Sequence, residues 1–343
     1  MAGLFQDQGG CNHDIGHWDV SAVTSMRDMF SGAVLFNQDL SNWCMSKVVD
    51  ISCQFRHARV FNGDISEWDV CNVKNMSGVF SGATAFNGDI SHWVVSSVTV
   101  MSGMFFQAQS FNQNISNWDV SNVVSMHCMF YEATMFNHCI GQWDVSSVMS
   151  MRSMFDGAES FNQDISNWKV HNVQDMSKMF RFSTSFDQDI GEWDVTRVLD
   201  MSDMFRGAVT FNRNLGGWNV STETNVSMMF FNASTLLRNL GRVNDEDGVW
   251  SSFFHEFLVS KTPESRKAYF SRLFPWERRS SFLMFLAMSG YLSSACTCIC
   301  NKGGEKKKDN SSIDDKHTPA PSPSPCDKIF DIEDIYRYIC TFL

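Results

Sequence analysis

Residues 118–143 read WDVSNVVSMHCMFYEATMFNHCIGQW, a run of 25 residues closed by the tryptophan that opens the next run. The interval recurs without insertion or loss through Trp18, Trp43, Trp68, Trp93, Trp118, Trp143, Trp168, Trp193 and Trp218. A fixed period of roughly 20–50 residues marks units that stack rather than fold alone. The sequence therefore predicts a repeat solenoid of nine coils over residues 11–235, preceded by a lead-in over residues 1–10.

Counted from each Trp as zero, Val stands at +2 (Val70, Val120) and +5 (Val23, Val48), Met at +8 (Met26, Met76), and Phe at +12 in all nine units, from Phe30 to Phe230. Ala follows at +15, broken only by Ser183, with Phe at +18 (Phe36, Phe61) and Ile or Leu at +22 (Leu40, Ile65). Ile65, Trp68 and Val70 lie close together as in a strand, whereas Val123, Met126, Met129, Phe130 and Ala133 follow helical spacing. Each coil is expected to hold one short strand, paired in parallel with its copies about 5 Å away, and one or two helical turns. The few apolar side chains of one unit cannot offset the entropy of ordering it, so stability must come from the stack. The Trp columns read as core. The Asn after each Phe recurs at Asn12, Asn37, Asn62, Asn87, Asn112, Asn137, Asn162 and Asn212, with Asp187 in the remaining unit. It predicts an internal ladder whose side chains satisfy turn backbone.

FNQNISNWDVSNVVSM (residues 111–126) and MFDGAESFNQDISNW (residues 154–168) closely resemble the BspA-like leucine-rich-repeat surface proteins, including the mycoplasma lipoprotein-type repeats. The resemblance spans about residues 11–235, two-thirds of the chain. It implies a leucine-rich-repeat-like fold, display on a cell surface, a link to adhesion, and no catalytic residues.

Charge narrows the partners. Residues 11–235 hold 23 acidic residues against 12 Lys and Arg, which is the whole chain's net charge of −11. An acidic stack argues against nucleic acid, whose phosphates need clustered Lys and Arg. The N-terminus MAGLFQDQGGCNHD has neither a basic n-region nor an apolar stretch, so it does not read as a signal peptide, and a cytoplasmic location is expected over the cell surface. The 11 Cys residues follow no pattern, which favours free thiols and a reducing compartment.

The repeat weakens at Glu223, where Val is expected. Residues 236–300 read as a helical cap or small helical domain, residues 301–326 as a disordered Pro/Ser/Lys linker, and residues 327–343 as an amphipathic helix. The uncharged stretch 281–300 is read as a buried helix in preference to a membrane span, because Ser, Gly and Thr dilute it.

No GxSxG, HExxH, GxGxxG or phosphate-binding loop is present. Catalytic groups on regular scaffolds sit on loops, and this repeat has no insertions, so a non-enzymatic protein-binding scaffold is expected. A cell-surface adhesin is the alternative, and a calcium-dependent module the second. Two columns are candidates. At −4, Asp14, Asp39, Asp64 and Asp89 stack their carboxylates, which a Ca²⁺ ion with its several oxygen ligands could relieve; water and backbone donors are the simpler expectation. At +13 the chemistry changes from unit to unit: Arg56, Phe106, Tyr131, Arg181, Arg206 and Phe231 are residue types that anchor interfaces. Their aromatic members are expected to be exposed on the stack, where either the tail folds over them or a protein partner docks. No other cofactor is predicted.

Overall fold

The computed structural model describes residues 1–239 and, beyond them, residues 251, 254, 255, 258, 259 and 262. The chain divides into a first unit, Met1–Ser271, and a second, Arg272–Leu343, which lies outside the described residues. Within the first, successive 25-residue repeats are joined by eight parallel single-residue bridges, from Ser25↔Asp50 to Asp200↔Asn225, every one at position +7.

The expected strand and helical turn are not what the units contain. Residues 65–70 form no strand, and residues 123–133 hold a bridge at Ser125 and turns over residues 127–132 rather than a helix. The cause lies in two backbone positions. At +10 and +14 the chain enters the left-handed region in unit after unit, as at Cys53 (φ 54°), His57 (φ 57°), Gly103 (φ 61°) and Gln107 (φ 55°). A left-handed residue every four positions breaks a right-handed helix.

This winding divides its hydrogen bonds evenly. In the fourth unit the amides of Met101, Gly103, Phe105 and Gln107 donate to Ser125, His127, Met129 and Tyr131 of the next unit, at 3.2, 2.8, 2.9 and 2.6 Å. The intervening Met104, Phe106 and Ala108 donate back three residues within their own unit, at 3.2, 3.1 and 3.0 Å. An α-helix would spend all of these amides internally and leave the units unjoined.

The columns that repeat are the core. Phe105 stacks on Phe111 of its own unit (3.8 Å between ring centroids) and on Phe80 and Phe130 of its neighbours (5.7 and 5.5 Å). Trp93 and Trp118 lie parallel at 6.5 Å. Each indole from Trp43 to Trp218 donates to the carbonyl of the residue three before the preceding Trp, as Trp118 Nε1 does to Ile90 O at 3.1 Å. A buried Trp needs such an acceptor, and the 25-residue register supplies it each time. Trp18, in the first full unit, is only half-buried.

The Asn column bonds from unit to unit: Oδ1 of Asn37 accepts the amide of Asn62 at 2.7 Å, Asn62 that of Asn87 at 2.8 Å, and Asn87 that of Asn112 at 2.9 Å. Asp187 keeps the geometry with its carboxylate, accepting from Asn212 at 2.9 Å. The ladder, expected to be internal and beside the core, lies at the surface: Asn37, Asn62 and Asn87 are exposed and Asn112 half-exposed.

The stack also begins earlier than expected. Residues 1–10, read as a lead-in, carry the second half of a repeat. The amides of Gly3, Phe5 and Asp7 donate to Arg27, Met29 and Ser31 at 2.8, 2.8 and 2.7 Å, and Phe5 stacks on Phe30 at 5.5 Å. At the other end α1, Ser234–Asn239, leaves the last unit. Ser251 Oγ accepts the amide of Phe230 at 3.3 Å, Phe254 meets the Phe230 ring edge-on at 5.1 Å, and Leu258 is buried. Among the described residues, no helix is long and apolar enough to cross a membrane. The expected buried helix at 281–300, the linker at 301–326 and the helix at 327–343 lie outside the described residues.

Candidate interaction face

The interunit ladder draws the variable +13 column into one line. Each +14 amide donates to the +13 carbonyl of the next unit: Gly32 to Arg56, Gly82 to Phe106, Gln107 to Tyr131, Gly157 to Arg181, Phe182 to Arg206 and Gly207 to Phe231, all at 2.6–2.7 Å. All six residues singled out in the sequence therefore stand on one face, with Ser81 and Asp156 between them. Arg56 is exposed. Phe106, Tyr131 and Phe231, expected to be exposed, are half-buried, because each ring lies along the ladder onto a neighbour.

Those neighbours make local clusters. Phe106 and Tyr131 stack at 4.5 Å with an interplanar angle of 6°. Arg206 lies over the Phe231 ring at 4.7 Å and pairs with Asp203 at 3.1 Å. Arg181 Nε donates to Asp156 Oδ2 at 2.8 Å while its guanidinium lies 5.4 Å from the centre of the Phe182 ring. Asp156 is 2% exposed, and burial pushes its carboxyl up to about 6 even though Arg181 opposes the shift. Desolvation outweighs one partially exposed cation here.

Reading one column missed its flanks. Phe182, at +14, is 44% exposed and belongs to the same face. At +14, Asp7, His57, Glu132 and Phe182 are each followed by glycine in the next unit: Gly32, Gly82, Gly157 and Gly207. A Cβ added at Gly82 would collide with the His57 ring, and one at Gly207 with the Phe182 ring. The left-handed backbone lays each +14 side chain flat on the following unit, and only Gly leaves room for it. Where two such side chains follow one another they bond instead, Gln107 Nε2 to Glu132 Oε2 at 2.8 Å. The glycines were the available sequence signal.

Between the second and fifth units the face opens into a groove of about 340 Å³. Arg56 and Cys53 bound it at one end and Phe106, His127 and Cys128 at the other, with Gly78 and Ser81 along its floor. Cys128 Sγ lies 3.3 Å from His127 Nε2. Burial pushes this thiol up to about 11 and lowers His127 below the usual imidazole range, so burial favours the neutral form of both groups.

The −4 aspartates have other work. Oδ1 of Asp14, Asp39, Asp64 and Asp89 accepts the amide two residues on, from Gly16, Ser41, Ser66 and Ser91, at 3.1, 2.8, 2.9 and 2.9 Å. The same turn recurs at +1, as in Asp119 and Ser121, and at +7, as in Asp175 and Ser177. These backbone bonds hold Asp39 and Asp89 below the usual carboxylate range. Among the described residues, no three His, Cys, Asp or Glu side chains converge where they could hold a metal ion. Asn fills the same role at Asn114 and Asn75, which accounts for the Asn-x-Ser triplets there.

A tandem-repeat protein is the class that this register and these repeated bonds define. The chain belongs to the family described as "Mycoplasma protein of unknown function, DUF285", which matches residues 1–75, 54–151 and 136–243 in succession. No curated protein matches the chain.

Proposed function

We propose that the protein is a non-enzymatic binding scaffold, a solenoid of leucine-rich-repeat-like type that presents a rigid repeat face to a protein partner. One observation carries the reading: the columns that pack are nearly invariant along the units, whereas +13 changes from Arg to aromatic to Asp while staying on one hydrogen-bonded line. Arg and aromatic side chains in partly desolvated settings are where interfaces concentrate their energy. Burial that favours the neutral forms of Cys128 and His127 supports a non-catalytic role. The finer kinship we infer is BspA-like, on the resemblance of residues 111–126 and 154–168, and the six free cysteines among the described residues support a reducing compartment.

The test is the double variant Phe106→Ser, Tyr131→Ser. Both rings are half-buried, so their loss should cost no more than about 2 kcal/mol and leave the stack folded. Capture of partners from native extract should fall. A chain that no longer unfolds cooperatively would make the column core rather than interface.

A further inference from the structure

Charge is distributed unevenly around the unit. Positions +9 to +14 carry Arg27, Arg56, Arg152, Lys178, Arg181 and Arg206 but only Asp28, Glu132, Asp156 and Asp203. This face therefore holds six of the 12 cations of residues 11–235 and four of their 23 acids, a net +2. The remaining positions carry six cations and 19 acids, a net −13. The balance of charge therefore favours an acidic partner at the face that bears the aromatics over the rest of the unit.

The groove on that face has two distinct ends. Arg56 is exposed and has no carboxylate partner among the described residues; its guanidinium lies beside the Cys53 thiol. Arg27, Arg181 and Arg206 on this face each pair with an aspartate, whereas Arg152, like Arg56, has no carboxylate partner among the described residues but does not line the groove. The opposite end, formed by the Phe106 ring against Tyr131 with Cys128 and His127, has no Asp, Glu, Lys or Arg in its lining. Gly78, Ser81 and Gly103 keep the floor low between them.

We propose that this groove receives an extended segment of a partner protein, carrying an acidic residue at Arg56 and an aromatic or bulky apolar residue against Phe106. The inference rests on the scaffold reading above and names its partner's chemistry. Spacing follows from geometry. Arg56 and Phe106 are two units apart, which is about 10 Å at ~4.8 Å per hydrogen-bonded step. An extended chain advances ~3.3 Å per residue. The acidic and aromatic residues of the partner therefore stand three apart, in the order acidic-x-x-aromatic or its reverse.

A random dodecapeptide display library panned against the immobilised full chain tests this, with the affinity of a labelled selected peptide then measured by fluorescence anisotropy. Enriched peptides should carry Asp or Glu three residues from an aromatic. Arg56→Glu should weaken the selected peptide at least about tenfold, and Phe106→Ser likewise. Lys169→Glu, an exposed cation off the face, should leave binding unchanged. A thermal melt checks that Phe106→Ser is folded; if it is not, exposed Arg56 alone decides. The groove is overturned, and the scaffold reading kept, if selected peptides bind the Arg56→Glu protein equally well or are basic. An oligo-dT strand that binds the chain more tightly than the peptide would replace the proposed partner with nucleic acid. A library that yields no enrichment at all removes both readings.

Discussion

The Trp side of each unit and its ladder face are built from one 25-residue period, yet they obey opposite constraints. On the Trp side, side chains make bonds fixed by register: indole to carbonyl, Asn to amide, Asp to the amide two residues on. A change there has to be matched in neighbouring units. On the ladder face backbone bonds such as Gln107 to Tyr131 recur in unit after unit, whereas side-chain pairs such as Arg181–Asp156 and Gln107–Glu132 differ from one unit to the next, so the +13 residue types are freer to vary. Invariance and variability thus come from which atoms carry the stacking. The most direct way to break the contrast is Trp118→Ala. It empties a buried site, removes the bond to Ile90 O and removes a ring that stacks on Trp93 and Phe105. The loss should be about 4–5 kcal/mol, read by urea unfolding, with hydrogen-exchange protection falling first in the adjoining units. Arg56→Glu, on the opposite face, should change stability by less than about 0.5 kcal/mol. Equal costs would dissolve the distinction.

Asp156 is the place where the ladder face behaves like core. Its carboxyl titrates at about 6 in the folded chain, above the ~3.9 of an unfolded Asp. A raised folded value favours the folded state while the group is protonated. That stabilisation is present in full below pH ~4 and is lost as pH rises through about 6. The pH window from 4 to 7 should therefore show a fall in stability on the order of 2–3 kcal/mol. Asp156→Asn keeps an acceptor for Arg181 and should flatten that slope while raising stability at pH 7. An unchanged slope would mean that Arg181 neutralises the carboxylate despite its burial.

Much of this was legible in the sequence, and the exceptions are instructive. The period, the core columns and the +13 line could be read because packing repeats residue types at fixed spacing. The backbone could not be. Val123, Met126, Met129, Phe130 and Ala133 match a helix in spacing, but apolar periodicity is blind to the sign of φ. Gly78 and Gly103 at +10, and Gly82 at +14, held that information. Cys53, Cys128 and Gln107 occupy the same left-handed positions and obscured it. Residues 1–10 were misassigned because the stretch lacks a Trp, although Phe5 keeps the +12 place.

Gln54 sharpens the comparison from within the core. It stands at +11, where Met29, Val79, Met104 and Met129 stand in other units, and is 0% exposed. Its Nε2 reaches only the Met26 sulfur, at 3.5 Å, and its Oε1 has no partner. A buried, unpaired amide oxygen costs about 1–3 kcal/mol. Gln54→Met restores the column and should raise the urea midpoint by the equivalent of about 1–2 kcal/mol. A destabilised variant would show that the second unit uses the amide in a way its neighbours do not.

The smallest effect separates geometry from charge on the Trp side. If Asp64 serves its turn through one accepted bond from Ser66, Asp64→Asn should be nearly neutral, as Asn114 already is in the same column, and Asp64→Ala should cost roughly 0.5–1.5 kcal/mol. Millimolar Ca²⁺ should leave the melting temperature of the wild-type chain unchanged. If instead the column collects a cation, Asp64→Asn is the damaging change and calcium raises the melting temperature of the wild type but less so that of the variant. The depressed carboxylates at Asp39 and Asp89 add a signed check. A folded value below the unfolded one contributes stability above pH ~4 that disappears as pH falls through the folded value. Acid should therefore weaken the Trp side over the range in which protonation of Asp156 has already relieved the ladder face.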